Sequence, residues 1–210
     1  MYLAIRDTQQ KNNPEGLFFC CVSALSHAAK GYDRRSAETG IQLHFPILFC
    51  IIKSMQYKTT SSTETKKIAK LFAEELIKTK PGKKAFVVIF KGDLGAGKTT
   101  FIQGLMKELG VKGKVMSPTF TLLRSYSLVS RSKRSIVAGA EFAKVHHFDC
   151  YRIGDVSEMK ELGFGELLAD PQNIILVEWP ERITKVLPHE KISVVLSYGE
   201  TINERTIEVI

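Results

Sequence analysis

The sequence predicts an α/β three-layer sandwich on a mixed central sheet, and three observations carry that expectation. A short apolar run, AFVVIF at 85–90, is too brief for a helix and rich in β-branched and aromatic residues, as a strand buried on both faces requires. It leads directly into a glycine-rich turn, GDLGAGKTT at 92–100, and then into FIQGLMKEL at 101–109, which has helical apolar spacing and stops at Gly110. Further β-type runs follow, two of them separated by a long polar connection that suits an antiparallel pair, so the sheet is expected to be mixed.

Taken in chain order, Ser61 and Glu64 have the spacing of a capping box, which predicts a helix starting there. Ile68, Leu71, Phe72 and Leu76 continue it as one apolar stripe to about Ile77, Lys66, Lys67, Lys70 and Lys78 occupy the polar face, and Pro81 and Gly82 end it. After the glycine-rich turn and its helix, strands are expected at 121–129, 145–153, 174–179, 192–198 and 205–210, with a helix over 156–168. The connection at 130–144 carries Arg131, Lys133 and Arg134.

The 210 residues are enough for one well-buried domain, and the 44% hydrophobic content is ordinary for a globular chain. The net charge of +8, from 30 Lys and Arg against 22 Asp and Glu, suits either a solvated basic surface or a polyanionic partner. In the first 54 residues two apolar runs, at 17–25 and 41–52, fall short of the ~20 residues that span a membrane. The first run loosely imitates a secretory signal, but Asp7, Pro14 and Glu15 spoil its leader. Residues 1–54 are therefore expected to be a poorly ordered, dispensable extension or the result of an upstream start, and 55–210 the domain. Cys20, Cys21, Cys50 and Cys150 form neither a CxxC pair nor a zinc spacing.

The chemistry centres on 92–100. The GxxxxGK pattern followed by Thr, with a strand before it and a helix after it, is a P-loop. Gly92, Asp93, Leu94, Gly95, Ala96, Gly97, Lys98, Thr99 and Thr100 are the expected ATP-binding residues. The glycines allow backbone angles that turn amides inward, and the helix N-terminus adds partial positive charge, so the loop forms a phosphate nest. Lys98 supplies a cation to the β- and γ-phosphates and the Thr99 hydroxyl a magnesium ligand. The fold is accordingly expected to be P-loop NTPase-like, and ATP, magnesium and unpaired thiols together favour the cytoplasm.

Hydrolysis needs acids beyond the loop. Glu178 ends the apolar run IILVEW, the arrangement of a strand whose terminal acid meets the metal or its water, and Asp149 lies in HHFDCYR, where burial without a partner is costly. Each is weighed against a surface salt bridge. Ser117, Pro118 and Thr119 are either a switch-like segment that brings a hydroxyl to the γ-phosphate or a simple turn. Trp179 stacks near the nucleotide or fills core. His146 and His147 point to opposite faces of a strand, which argues against joint metal ligation.

With these residues in place the sequence resembles the TsaE family of P-loop ATPases. The resemblance runs from about Tyr57 to Ile210 and rests on GDLGAGKTTF at 92–101, SPTFTL at 117–122, HFDCYR at 147–152, ELGF at 161–164 and LVEWPER at 176–182. It implies that Lys98 and Thr99 bind phosphate and magnesium, that Glu178 serves the magnesium, and that Asp149 is a second acid for turnover. Ser117 and Thr119 then belong to the switch-like segment, with Thr119 counted among the catalytic residues, and Trp179 sits beside the metal acid. It further implies an accessory role: ATP hydrolysis resets a complex of TsaB and TsaD, in which TsaD transfers a threonylcarbamoyl group to an adenosine of tRNA. The partners so implied are TsaB, TsaD and, through them, tRNA, with no membrane. The long connection at 130–144 and Asn203-Glu204 before Arg205 depart from the family pattern, and the basic residues of the former are candidates for touching tRNA phosphates.

Rival readings are a P-loop kinase for a small molecule, a GTP switch, and a non-catalytic module that holds ATP as an assembly signal. An acceptor pocket is not evident for the first, and neither an NKxD nor a DxxG segment occurs for the second.

Overall fold

The computed structural model describes residues 55–79, 81–128 and 142–210. The expectations for 1–54, and for Arg131, Lys133 and Arg134 in the basic connection, lie outside the described residues.

The described residues open with a strand that its composition hides. β1 (Met55–Thr59) pairs antiparallel with β7 (Arg205–Val209), placing Tyr57 opposite Ile207. Gln56 and Lys58 are exposed, and β1 is an edge of the sheet, so the strand lacks the apolar run that marks a central one. α1 (Ser62–Lys78) follows, with Ser61 Oγ accepting the Glu64 amide at 3.2 Å. Glu64 reaches back past the cap to the Thr60 amide at 2.7 Å, a capping box displaced by one residue. Those hydrogen bonds from Thr60 hold the Glu64 carboxyl below its ordinary pKa.

β2 (Phe86–Lys91) sends alternate side chains to opposite faces, as strand geometry demands. Val88 and Phe90 join the core under α1 and α2 (Lys98–Glu108); Val87 and Ile89 join the core on the other face. The two helices cross closely at Gly104, where a Cβ would stand 3.0 Å from the Lys66 Cα and 3.1 Å from the Ala69 Cβ. Phe101 of α2 packs edge-on against Phe72 of α1, ring centroids 6.0 Å apart, and seals that layer onto Phe90.

β3 (Leu123–Ser127) and β4 (Lys144–Asp149) form the antiparallel pair expected around the long connection. The single helix expected over 156–168 is two: α3 (Ser157–Glu161) and α4 (Phe164–Ala169). Gly163 separates them in the left-handed region, φ 69°, and its amide closes the end of α3 on the Lys160 carbonyl. β5 (Asn173–Glu178) is wholly buried; a 3₁₀ turn (Pro180–Arg182) follows, and β6 (Ile192–Tyr198) completes the strands before β7.

The seven strands lie in the order β1-β7-β6-β2-β5-β4-β3. β6, β2, β5 and β4 are parallel and central; β7 and β3 run against them on either side, and β1, antiparallel to β7, returns to the central direction at the edge. With α1 and α2 on one face and α3 and α4 on the other, this is the three-layer sandwich with a mixed sheet. The register sets Phe90, Glu178 and Asp149 side by side at the carboxyl ends of β2, β5 and β4. Sites in open α/β sheets form at such strand ends. Among the described residues no helix is long and apolar enough to cross a membrane.

Candidate functional site

The glycine-rich turn leaves the end of β2 and enters α2 at Lys98. Gly92 holds φ 137°, and a Cβ there would lie 2.1 Å from the Leu196 carbonyl oxygen of β6, so no side chain fits. Gly97 takes the left-handed conformation at φ 99° and delivers the chain into the helix. Lys98 is buried at 5% exposure, and its ammonium donates to the carbonyl oxygens of Gly92 at 2.6 Å and Asp93 at 2.9 Å. The same Nζ stands 3.9 Å from the centroid of the Trp179 ring. Burial pushes the Lys98 pKa below its ordinary value, against the opposing pull of Glu178, Glu181, Asp149 and Asp93.

At the second residue of α2, the Thr99 hydroxyl donates to the Glu178 carboxylate, 3.3 Å from Oε1 and 3.2 Å from Oε2. Glu178 is buried, and its Oε1 also accepts from His147 Nε2 at 2.9 Å. Of the adjacent histidines, only His147 therefore reaches this acid; His146 turns to the other face and meets Ser125 Oγ at 2.8 Å.

Asp149 is buried beside Glu178 and partnered on both oxygens. Thr119 Oγ1 donates to its Oδ2 at 2.6 Å, and the Tyr151 amide donates to its Oδ1 at 3.1 Å. Ser117 Oγ lies 2.6 Å from Thr119 Oγ1, so the segment at 117–119 is tied to the acid through a short relay. Tyr151 packs on Trp179 with ring centroids 5.0 Å apart, and Trp179 itself holds φ 58°, an uncommon angle for a non-glycine residue. Cys150, between these groups in sequence, faces the core, and burial pushes its thiol up to about 12, so it offers no thiolate near neutral pH.

A cavity of about 420 Å³ opens beside the loop, lined by Gly95, Gly97 and Thr100 and by Thr60, Ser61, Ser62, Thr65, Asn203 and Arg205. The sequence marks the three loop residues of that wall as a phosphate site, but Thr60, Ser62 and Thr65 carry no motif for it. Ser61 signals only a helix start, and Asn203 only a departure from the family pattern. The run of hydroxyl residues at 59–63 leading into that helix is the one signal that could have marked it. Tyr198 is a further omission: its hydroxyl donates to the Leu94 carbonyl at 2.6 Å.

The arrangement combines a glycine-rich nest, one buried cation, a hydroxyl and two adjacent acids at the carboxyl edge of a parallel sheet. The family model described as "Threonylcarbamoyl adenosine biosynthesis protein TsaE" matches residues 59–207, from the end of β1 to β7. The chain belongs to the TsaE family. It is 35% identical over 144 residues to the tRNA threonylcarbamoyladenosine biosynthesis protein TsaE of Haemophilus influenzae, covering 69% of this chain and 81% of that one. The protein of the same name from Bacillus subtilis is 37% identical, covering 69% and 78% respectively. The crystal structure of Bacillus subtilis YdiB is similar at a TM-score of 0.54 and 32% identity, covering 75% of this chain and 84% of that one. The TsaE match contains every site residue named above, and the fold is the P-loop NTPase-like α/β sandwich that the sequence predicts.

Proposed function

We propose that this chain is a magnesium-dependent ATP hydrolase, weak alone and dependent on partners, that supports threonylcarbamoyl transfer onto tRNA adenosine by a TsaB–TsaD complex. The observation that carries the hydrolase reading is the Thr99 hydroxyl on the Glu178 carboxylate at 3.2 Å, beside the P-loop lysine. Membership of the TsaE family supports the pathway.

The donor set suits magnesium, which favours hard oxygen ligands and keeps several waters. Thr99 Oγ1 and Glu178 would hold it, with phosphate oxygens and water completing the shell. A magnesium ion held there would supply charge neutralisation to a bound triphosphate. The chain's own residues do the remaining work. Lys98 exchanges the carbonyls of Gly92 and Asp93 for phosphate oxygens, while His147 keeps the Glu178 carboxylate turned toward α2. Asp149, its Oδ2 held by the Thr119 hydroxyl, supplies the acceptor that orients the attacking water. The cavity walled by Thr60, Ser61, Asn203 and Arg205 takes the nucleoside.

The test is phosphate release by the purified chain alone and with TsaB, TsaD and tRNA, in the cytoplasmic ionic range. Slow release that rises with the partners is the expected result. Phosphate recovered on a small acceptor would point instead to a kinase, and no release in any mixture to a non-catalytic assembly module.

A further inference from the structure

The P-loop crest is gripped from outside by the hairpin of β6 and β7. Tyr198 and Arg205 are a cross-strand pair in that hairpin, and the Arg205 guanidinium sits 4.6 Å from the Tyr198 ring centroid. The Tyr198 hydroxyl donates to the Leu94 carbonyl at 2.6 Å, and Arg205 Nη2 donates to the Gly95 carbonyl at 3.4 Å. Arg205 is itself anchored, its Nη1 donating to the carbonyls of Ile202 at 2.8 Å and Glu204 at 2.7 Å. A Cβ at Gly95 would approach the Tyr198 hydroxyl to 2.6 Å, so the glycine there makes room for the tyrosine.

We propose that Tyr198 is a positioning residue for the phosphate loop: by fixing the Leu94 carbonyl outward it holds the crest in its phosphate-receiving conformation before nucleotide arrives. A peptide unit is planar, so a carbonyl held outward turns the amide on its other side the opposite way. In the 93–97 segment that geometry keeps the Gly95 amide directed inward, where a phosphate nest needs it. Leu94 is 75% exposed, so no packing of its own side chain holds the crest. A loop ordered in advance binds with less entropic cost than one ordered by its ligand. The inference rests on the ATP-binding reading of the loop, and it adds that affinity, not the chemical step, depends on the hairpin.

The experiment compares the full chain with Y198F, which removes only the hydroxyl. Amide hydrogen exchange across 92–99 is followed without nucleotide, Mg-ATP affinity is taken by calorimetry, and partner-stimulated turnover and melting temperature are recorded. Loop exchange is expected to quicken by at least about threefold and the dissociation constant to rise by about threefold to tenfold, the range of one hydrogen bond. Turnover at saturating ATP stays at the parent value, and the melting temperature falls by no more than about 4 °C, the worth of that one hydrogen bond. Unchanged loop exchange in Y198F overturns the proposal, as does a larger fall in melting temperature with faster exchange throughout the sheet. If the parent chain binds no Mg-ATP, the nucleotide reading fails, and the exchange measurement still decides whether Tyr198 orders the loop.

Discussion

The Thr99 hydroxyl lies 3.2 Å from Glu178 Oε2, joining the first turn of α2 to the end of β5 across 79 positions of sequence. Two oxygens of different acidity thus meet at the mouth of the P-loop, in a place where His147 already satisfies one side of the carboxylate.

Replacing Glu178 by Gln keeps the size and one acceptor but removes the negative charge. Magnesium-dependent phosphate release should fall at least about a hundredfold, equivalent to about 2.7 kcal/mol in the barrier. Binding of ATP in EDTA should be no weaker than in the parent, because the loop and Lys98 remain and one nearby negative charge is gone. Normal turnover in E178Q would remove the metal role of this acid.

Asp149 and Thr119 should behave as a pair for the chemical step. D149N and T119V are each expected to lower turnover at saturating ATP by about ten- to a thousandfold, with the ATP dissociation constant within about twofold of the parent. The double variant should be no slower than D149N alone, because the Thr119 hydroxyl acts through Oδ2 of that acid. Additive losses would mean two independent roles.

Lys98 makes binding pH-dependent in a direction fixed by its burial. Its folded pKa lies below the ordinary 10.5, so between those two values the unfolded chain holds more protons and stability rises with pH. Over the same window the ammonium is lost and its grip on phosphate with it. Mg-ATP affinity should therefore decline on the alkaline side before pH 10.5, while urea midpoints rise or stay level. K98A should bind weakly and without that decline.

Gly104 allows α1 and α2 to approach, and G104V should cost about 2–3 kcal/mol through forced separation of the helices. Urea denaturation of the parent and the variant measures this directly. A midpoint equal to the parent would show that the Lys66 backbone can yield.

The sequence legibly marks the local parts. Strand, loop and helix at 85–109 are contiguous, and each is set within a few residues: a β-branched apolar run, glycines where φ is positive, and a lysine directly after the last of them. The capping box at Ser61 and Glu64 belongs to the same class. β1 went unread because an edge strand buries little, and the helix at 156–168 broke because Gly163 accepts a left-handed turn that apolar spacing does not register.

By itself, then, the sequence determined the phosphate loop, the flanking elements and the family motifs, since each depends on neighbours along the chain. Only the tertiary structure decided that Asp149 stands beside Glu178, that His147 and not His146 reaches that acid, and that Thr60, Asn203 and Tyr198 surround the loop. Those relations follow from strand order and register, which are settled by the summed burial of both sheet faces and not by any short stretch of residues.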